Sequence, residues 1–192
     1  VLALMGLLAV VILYVFYPNV GELWREPLDV MVKQLAEQST EFSLAELKQT
    51  EDWIIAFLPG LFVSSILFGT MLSLFLGRWW QAVFYNPGGF GEEFRSLNLG
   101  KVSALCAMAL MLVAAVVDNV FAVALVTVVF VLYGIQAMSI VHAAVTIRQL
   151  NTAWLVLIYL LMLCVPHVLL LLMLAGCADP WLNLRQRISP VA

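Results

Sequence analysis

Residues 102–145 read VSALCAMALMLVAAVVDNVFAVALVTVVFVLYGIQAMSIVHAAV, 44 positions with a single carboxylate, Asp118, and no lysine or arginine. A hydrocarbon core about 30 Å thick is crossed by about 20 apolar residues in a helix. The run is too long for one crossing. Asp118-Asn119 is a turn and N-cap signal, so the stretch predicts a tight hairpin of two spans, 102–117 and 120–147.

The rest of the chain supports a lipid environment. Of 192 residues, 64% are hydrophobic and 11% charged, and the mean hydropathy is +1.04. Soluble domains are roughly 45–50% apolar and about 25% charged, and a chain this short has too little interior to hide the excess. Three further spans are predicted at 1–17, 53–76 and 153–175, giving an all-α polytopic transmembrane helical bundle of about five spans in one domain. The first run starts mid-helix with no charged segment or cleavage site before it. The expectation is the C-terminal part of a longer chain.

The polar region is Gly21–Asp52, with eight carboxylates and three basic residues. Leu23, Trp24, Leu28, Met31, Val32 and Leu35 recur at helical spacing, which predicts one or two amphipathic helices on the membrane surface. Ser43 and Glu46 form a capping-box pattern. Pro59-Gly60 predicts a kink early in the second span. Ser65, Gly69, Ser73 and Gly77 follow at intervals of four, a small-residue face that another helix can approach closely. Arg78, Trp79, Trp80 and Tyr85 mark an interface.

Between the second and third spans lies Asn86–Lys101, NPGGFGEEFRSLNLGK. A phosphate cradle needs glycines leading into a helix N-terminus with a cation aimed at the anion. Here two carboxylates follow the glycines. The reading is a turn at 86–89, then a short interfacial helix dipping Phe90, Phe94 and Leu97, with Arg95 at the headgroups. The last span is predicted to kink at Pro166 and to end over Gly176–Pro180, leaving Trp181–Arg187 as an interfacial tail. Four Lys/Arg on one side against five on the other leave the orientation open.

Polar groups inside lipid mark candidate sites. Tyr133, Gln136, Ser139 and His142 follow at steps of three, a slanting seam on the fourth span. His167 lies beside Pro166, which frees a carbonyl near Met162. Together with Asn119 these residues outline a candidate substrate-binding pocket; hydrogen bonding between helices is the alternative for the same residues. Two histidines without a third ligand do not make a metal site, and no cofactor is expected. Cys106, Cys164 and Cys177 carry no CxxC spacing. No HExxH, P-loop or nucleophile motif occurs, so an enzyme is not expected; Glu92, Glu93 or Asp118 would be the groups for lipid chemistry. The net charge of −3 gives no basis for nucleic-acid binding.

Three segments, GGFGEEFRSLNLGK at 88–101, NVFAVALVTVVFVLYGIQAMSIVHAAV at 119–145 and LAGCADPWLNLRQRI at 174–188, together resemble the YybS-like family of bacterial integral membrane proteins, a domain of unknown function. The matching positions are Phe94, Arg95, Asn119, Gln136, His142, Asp179, Trp181 and Arg185. The chain departs at Gly100, where the family has proline, at Asn183, where it has an acid, and at Gly134, which precedes Gln136 instead of following it. The resemblance implies a multi-pass protein of a bacterial cytoplasmic (inner) membrane. It also implies distant kinship with the substrate-binding subunits of energy-coupling-factor transporters. The expected function is a small-solute binding or transport component, with the lipid bilayer and a small-molecule ligand as partners. The alternative is a membrane scaffold or assembly factor that docks a membrane-protein partner through its interfacial helices and the small-residue face.

Overall fold

The computed structural model describes residues 1–38, 43–117 and 119–188. Asp118, proposed above as the turn residue and as a candidate for lipid chemistry, lies outside them. Every element among the described residues is helical: α1 Leu2–Phe16, a 3-10 turn Val20–Trp24, α2 Arg25–Gln38, α3 Leu44–Tyr85, α4 Gly89–Arg95, α5 Lys101–Val116, α6 Val120–Ile147, α7 Ala153–Cys164, α8 Pro166–Leu182 and α9 Leu184–Arg187. They form two compact units, residues 1–69 with 110–128, and residues 70–109 with 129–188.

Two helices, α3 and α6, are each long and apolar enough to cross a membrane, and up to four crossings result if each bent pair counts as one. The bent pairs are α1 with 20–38, at 84°, and α7 with α8, at 116°. The predicted five spans are therefore not all present as single crossings. The α5 helix has 16 residues, short of the roughly 20 that the hydrocarbon core asks for. The α6 helix matches its predicted span, opened by Asn119, whose Oδ1 accepts the Phe121 N–H at 2.8 Å. Asn151 likewise accepts from Ala153 at 2.9 Å before α7.

The second span belongs to a longer helix. Ser43 and Glu46 close the capping box: the Ser43 N–H donates to Glu46 Oε2 at 2.9 Å, and the Glu46 N–H donates to Ser43 Oγ at 3.3 Å. From there α3 runs unbroken for 42 residues, with Pro59 inside it. The amphipathic region thus becomes the 3-10 turn, α2 and the first turns of α3.

In the first unit the helices meet at small residues. A Cβ on Gly60 would stand 2.6 Å from the Ala124 Cα of α6, and one on Gly6 would stand 2.8 Å from a Leu67 methyl. Ser64 donates to Thr127 Oγ1 at 3.1 Å. Lipid tails are as apolar as leucine, so close backbone approach and hydrogen bonds of this kind drive helix association. The contact face of α3 here is Gly60–Ser64. The predicted small-residue face, Ser65, Gly69, Ser73 and Gly77, lies one residue over and is exposed; a Cβ on Gly69 or Gly77 would meet nothing within 4 Å.

Candidate functional site

The second unit holds a buried polar network centred on α6. Gln136 is fully buried. Its Oε1 accepts the Leu99 N–H at 2.9 Å, and its Nε2 donates to the Gly176 carbonyl of α8 at 2.8 Å. Gly176 makes this contact possible, since a Cβ there would stand 2.6 Å from the Tyr133 carbonyl oxygen. Tyr133 donates to Ser103 Oγ at 3.1 Å.

One turn further on, Ser139 accepts from Arg185 at 2.9 Å. The Arg185 guanidinium also donates to the carbonyls of Arg95 at 2.9 Å and Leu97 at 2.7 Å, and to Asp179 Oδ2 at 2.7 Å. Asp179 is 2% exposed, and its other oxygen accepts the Leu184 N–H at 3.0 Å. Asn183, in the left-handed conformation at φ 47°, stands between α8 and α9, two residues before Arg185. Planar, five-donor arginine suits such a fork of carboxylate and carbonyls.

The candidate pocket residues are thus distributed unevenly. Tyr133, Gln136 and Ser139 come together, with protein groups as their hydrogen-bond partners. His142 sits beside them, half-buried. Its Nδ1 lies 2.8 Å from the Met138 carbonyl, which can only accept, so that nitrogen carries the proton. Its ring packs edge-on against Phe94 and Tyr159, with centroids 5.3 and 6.0 Å away. His167 is exposed, and Asn119 is an exposed cap in the other unit. Phe90 and Phe94 cluster with Phe75 of α3, so the short helix α4 is held against α3 within its own unit. Its Glu93 is held by Arg78, Nε to Oε2 at 2.8 Å, and this hydrogen bond keeps the carboxyl below its ordinary range. The carbonyls of Arg95 and Leu97 and the Asp179–Arg185 pair, which complete the network, were not singled out as site residues. A carboxylate and an arginine six apart at the end of an apolar helix were the available signal.

A second constellation lies in the first unit. A cavity of about 540 Å³ is lined by Glu22, Arg25, Glu26, Asp29, Lys48, Glu51 and Asp52. Arg25 donates to Asp52 at 3.0 Å and to Glu22 at 2.5 Å, and Lys33 pairs with Asp29 at 2.6 Å. The hydrogen bond from Arg25 holds the Glu22 carboxyl below its ordinary range, and that from Lys33 does the same for Asp29.

Glu51 differs from these. It is 4% exposed, between buried Leu47 and Ile55 on the inner face of α3. No described residue donates to it or pairs with it, although its charge helps to raise the Lys33 pKa behind the larger effect of Asp29. The sequence reading counts Glu51 among the eight carboxylates of the polar region and does not single it out. The missed signal is the four-residue spacing Leu47, Glu51, Ile55, which puts a carboxylate in an otherwise apolar stripe. Among the described residues no three His, Cys, Asp or Glu side chains are grouped to hold a metal ion.

No family model matches the chain, and no curated protein or solved structure matches it.

Proposed function

We propose that this chain is a membrane-embedded component that binds or carries a small solute, in a bacterial cytoplasmic membrane as the YybS-like resemblance implies, and that the solute meets it at the 22–52 cleft. The observation that carries this reading is a cleft of about 540 Å³ onto which Glu51 opens, a residue mostly buried on α3 whose carboxylate takes no hydrogen bond or ion pair from the described residues. The cleft's volume falls within the range of about 300–1,000 Å³ of ligand pockets, while its lining is charged where theirs is mostly apolar. The network around Gln136 supports the same division of labour: its polar groups already bond within the chain, which suits a latch better than a pocket wall.

Native mass spectrometry of protein extracted gently from its own membrane tests the reading. A reproducible small added mass is expected, and it should fall away in Glu51→Gln while persisting in a surface control such as Lys101→Gln. Wild-type protein with no added mass from any gentle extraction, or an adduct indifferent to Glu51, would remove the support.

The scaffold reading keeps one observation in its favour, the outward small-residue face of α3 with room at Gly69 and Gly77. Gly69→Ile should then abolish co-purification of a stoichiometric protein companion. Unchanged co-purification would count against it.

A further inference from the structure

We infer that the C-terminal ends of α3 and α6 face the cytoplasm, that α7 and α8 form a re-entrant hairpin returning to that same face, and that the 22–52 cleft opens on the opposite side of the membrane. The orientation stands independently of the solute reading. What it adds to that reading is that the solute is met from outside the cytoplasm.

The direction of the helices comes first. In the first unit α3 and α6 run parallel: Gly60 lies against Ala124 and, one turn on in both helices, Ser64 bonds Thr127. Both helices are long and apolar enough to cross, so their C-terminal ends emerge on one face. Exposed Trp53 stands about 40 Å along α3 from exposed Trp79 and Trp80. That is the thickness of the hydrocarbon core with its headgroup layers, and such aromatics mark both interfaces. Two parallel crossings need a return between them, and α5 is the helix that lies there. It can be short because the link before it dips inward: the Leu99 N–H bonds Gln136, about three turns before the end of α6.

The α7 and α8 helices decide the side of the tail. They have 12 and 17 residues, each below the roughly 20 of a crossing, and they meet at a bend of 116°. The first leaves the end of α6 just past Arg148 and packs Tyr159 against His142. Beyond the second, Arg185 bonds Ser139 in the C-terminal third of α6, and the carbonyls of Arg95 and Leu97 in the link that follows α3. The chain thus comes back to the face it left. Five separate spans would put Arg185 and Arg187 on the opposite face, and there the count stood at four against five. With both returned, Arg78, Arg95, Lys101, Arg148, Arg185 and Arg187 share the face of the C-terminal ends. Only Arg25, Lys33 and Lys48 remain on the other. Those three surround the N-terminal turns of α3: Arg25 pairs with Asp52, Lys33 pairs with Asp29 of the cleft wall, and Lys48 lies in α3 itself. Lysine and arginine near the ends of spans collect on the cytoplasmic side, and six against three now settles on one face.

The test is labelling from one side. Cys106, Cys164 and Cys177 are replaced by alanine in the full chain. Single cysteines are then introduced at exposed positions: Gln34→Cys in α2, Glu92→Cys in the link and Gln186→Cys beyond α8. A membrane-impermeant maleimide added to spheroplasts should modify Gln34→Cys. It should leave Glu92→Cys and Gln186→Cys untouched until the membrane is permeabilised. If the cysteine-free chain fails to fold, trypsin on right-side-out and inside-out vesicles reads the same sides in the unsubstituted protein. Cleavage within 25–48 is then expected from the outside, and at Arg148 or Arg187 from the inside alone. Protection of Gln34→Cys would overturn the side given to the cleft. Any result that separates Gln186→Cys from Glu92→Cys would overturn the hairpin and make α7–α8 a crossing. Equal labelling of all three would mean that the chain inserts both ways, and would overturn a fixed orientation. The solute reading fails by a different result, the absence of a native adduct, which leaves the sides of the three cysteines as they are.

Discussion

Asp179 and Glu51 both stand in mostly apolar helices, and both residues are largely buried, at 2% and 4% exposure. Their surroundings differ. Asp179 takes one bond from Arg185 and one from the Leu184 N–H. Glu51 takes none from any described residue. A buried ion removed from water loses several kcal/mol of solvation, and a partner with good geometry is what offsets it. Asp179 has that partner within its own unit, so its network holds the fold together. Glu51 has no such partner among the described residues, and its carboxylate opens on the cleft, where water or a ligand can meet it. Satisfaction, more than burial, separates a polar group that fastens a structure from one that is available to bind.

The largest test of this contrast is Asp179→Ala. It strips the counter-charge from Arg185 and the acceptor from Leu184, and breaking such a buried pair costs about 3–5 kcal/mol. The apparent Tm in detergent should drop steeply, and trypsin should cut at Arg95 or Arg185, whose segments the network pins. A small Tm change would mean that the pair contributes little and that the latch reading is wrong. Gln136→Leu comes next. It leaves the Leu99 N–H and the Gly176 carbonyl without partners, at about 1–3 kcal/mol for each unsatisfied group. Unaltered stability in Gln136→Leu, with loss of a bound solute, would return the seam to the status of a pocket.

How far the sequence disclosed these features depends on the range of the interaction. The α6 boundaries were legible because Asn119 caps a long apolar run through local bonds. The Ser43–Glu46 box was legible for the same reason. The crossings at α1 and α7–α8 were not, because a hydropathy window counts apolar residues and does not register an 84° or 116° bend between them. Gln136, Ser139 and Tyr133 were visible as polar groups in lipid. Their partners were not, since Gln136 bonds Leu99 and Gly176, 37 and 40 residues away, and backbone carbonyls leave no mark in a sequence. Glu51 was one of eight carboxylates in the polar region, and its burial was not read from the Leu47, Glu51, Ile55 spacing.

The two faces of α3 extend the comparison at a smaller scale. Gly60→Ala would drive a methyl against the Ala124 backbone, and overpacking of this kind costs about 1–3 kcal/mol. Gly69→Ala meets open space. Replacing a mid-helix glycine by alanine gains up to about 1 kcal/mol in soluble helices, so Gly69→Ala should be neutral or stabilising in the isolated protein. Thermal melts of the two variants side by side check this. Destabilisation by Gly69→Ala in the purified chain would mean that the outward face already carries a copy of the chain or another tightly held helix.

Acid should separate the regions as well. The carboxyls of Glu22, Asp29 and Glu46 are held below their ordinary values by hydrogen bonds from Arg25, Lys33 and Ser43. A carboxyl depressed in the folded state contributes stability above its unfolded value, and that contribution is lost as pH falls through the folded one. Below about pH 4, amide exchange should accelerate in 22–38 and in the first turns of α3. Equal acceleration around Leu99, which Gln136 holds through neutral groups, would show that the loss is global.

The smallest expected effect is the most discriminating. Glu51→Gln removes a charge that no described donor compensates, so the fold loses no ion pair and no protein hydrogen bond. In the ligand-free chain its stability should change by no more than a neutral surface substitution does, about 0.5 kcal/mol. The same substitution should weaken any stabilisation by a solute bound in the cleft. These two outcomes belong together: a residue that is silent alone and decisive with ligand acts through the ligand. A large loss of stability in Glu51→Gln without ligand would instead place Glu51 among the groups that fasten α3 to its neighbours, as Asp179 fastens α8 and α9, and the contrast between the two carboxylates would disappear.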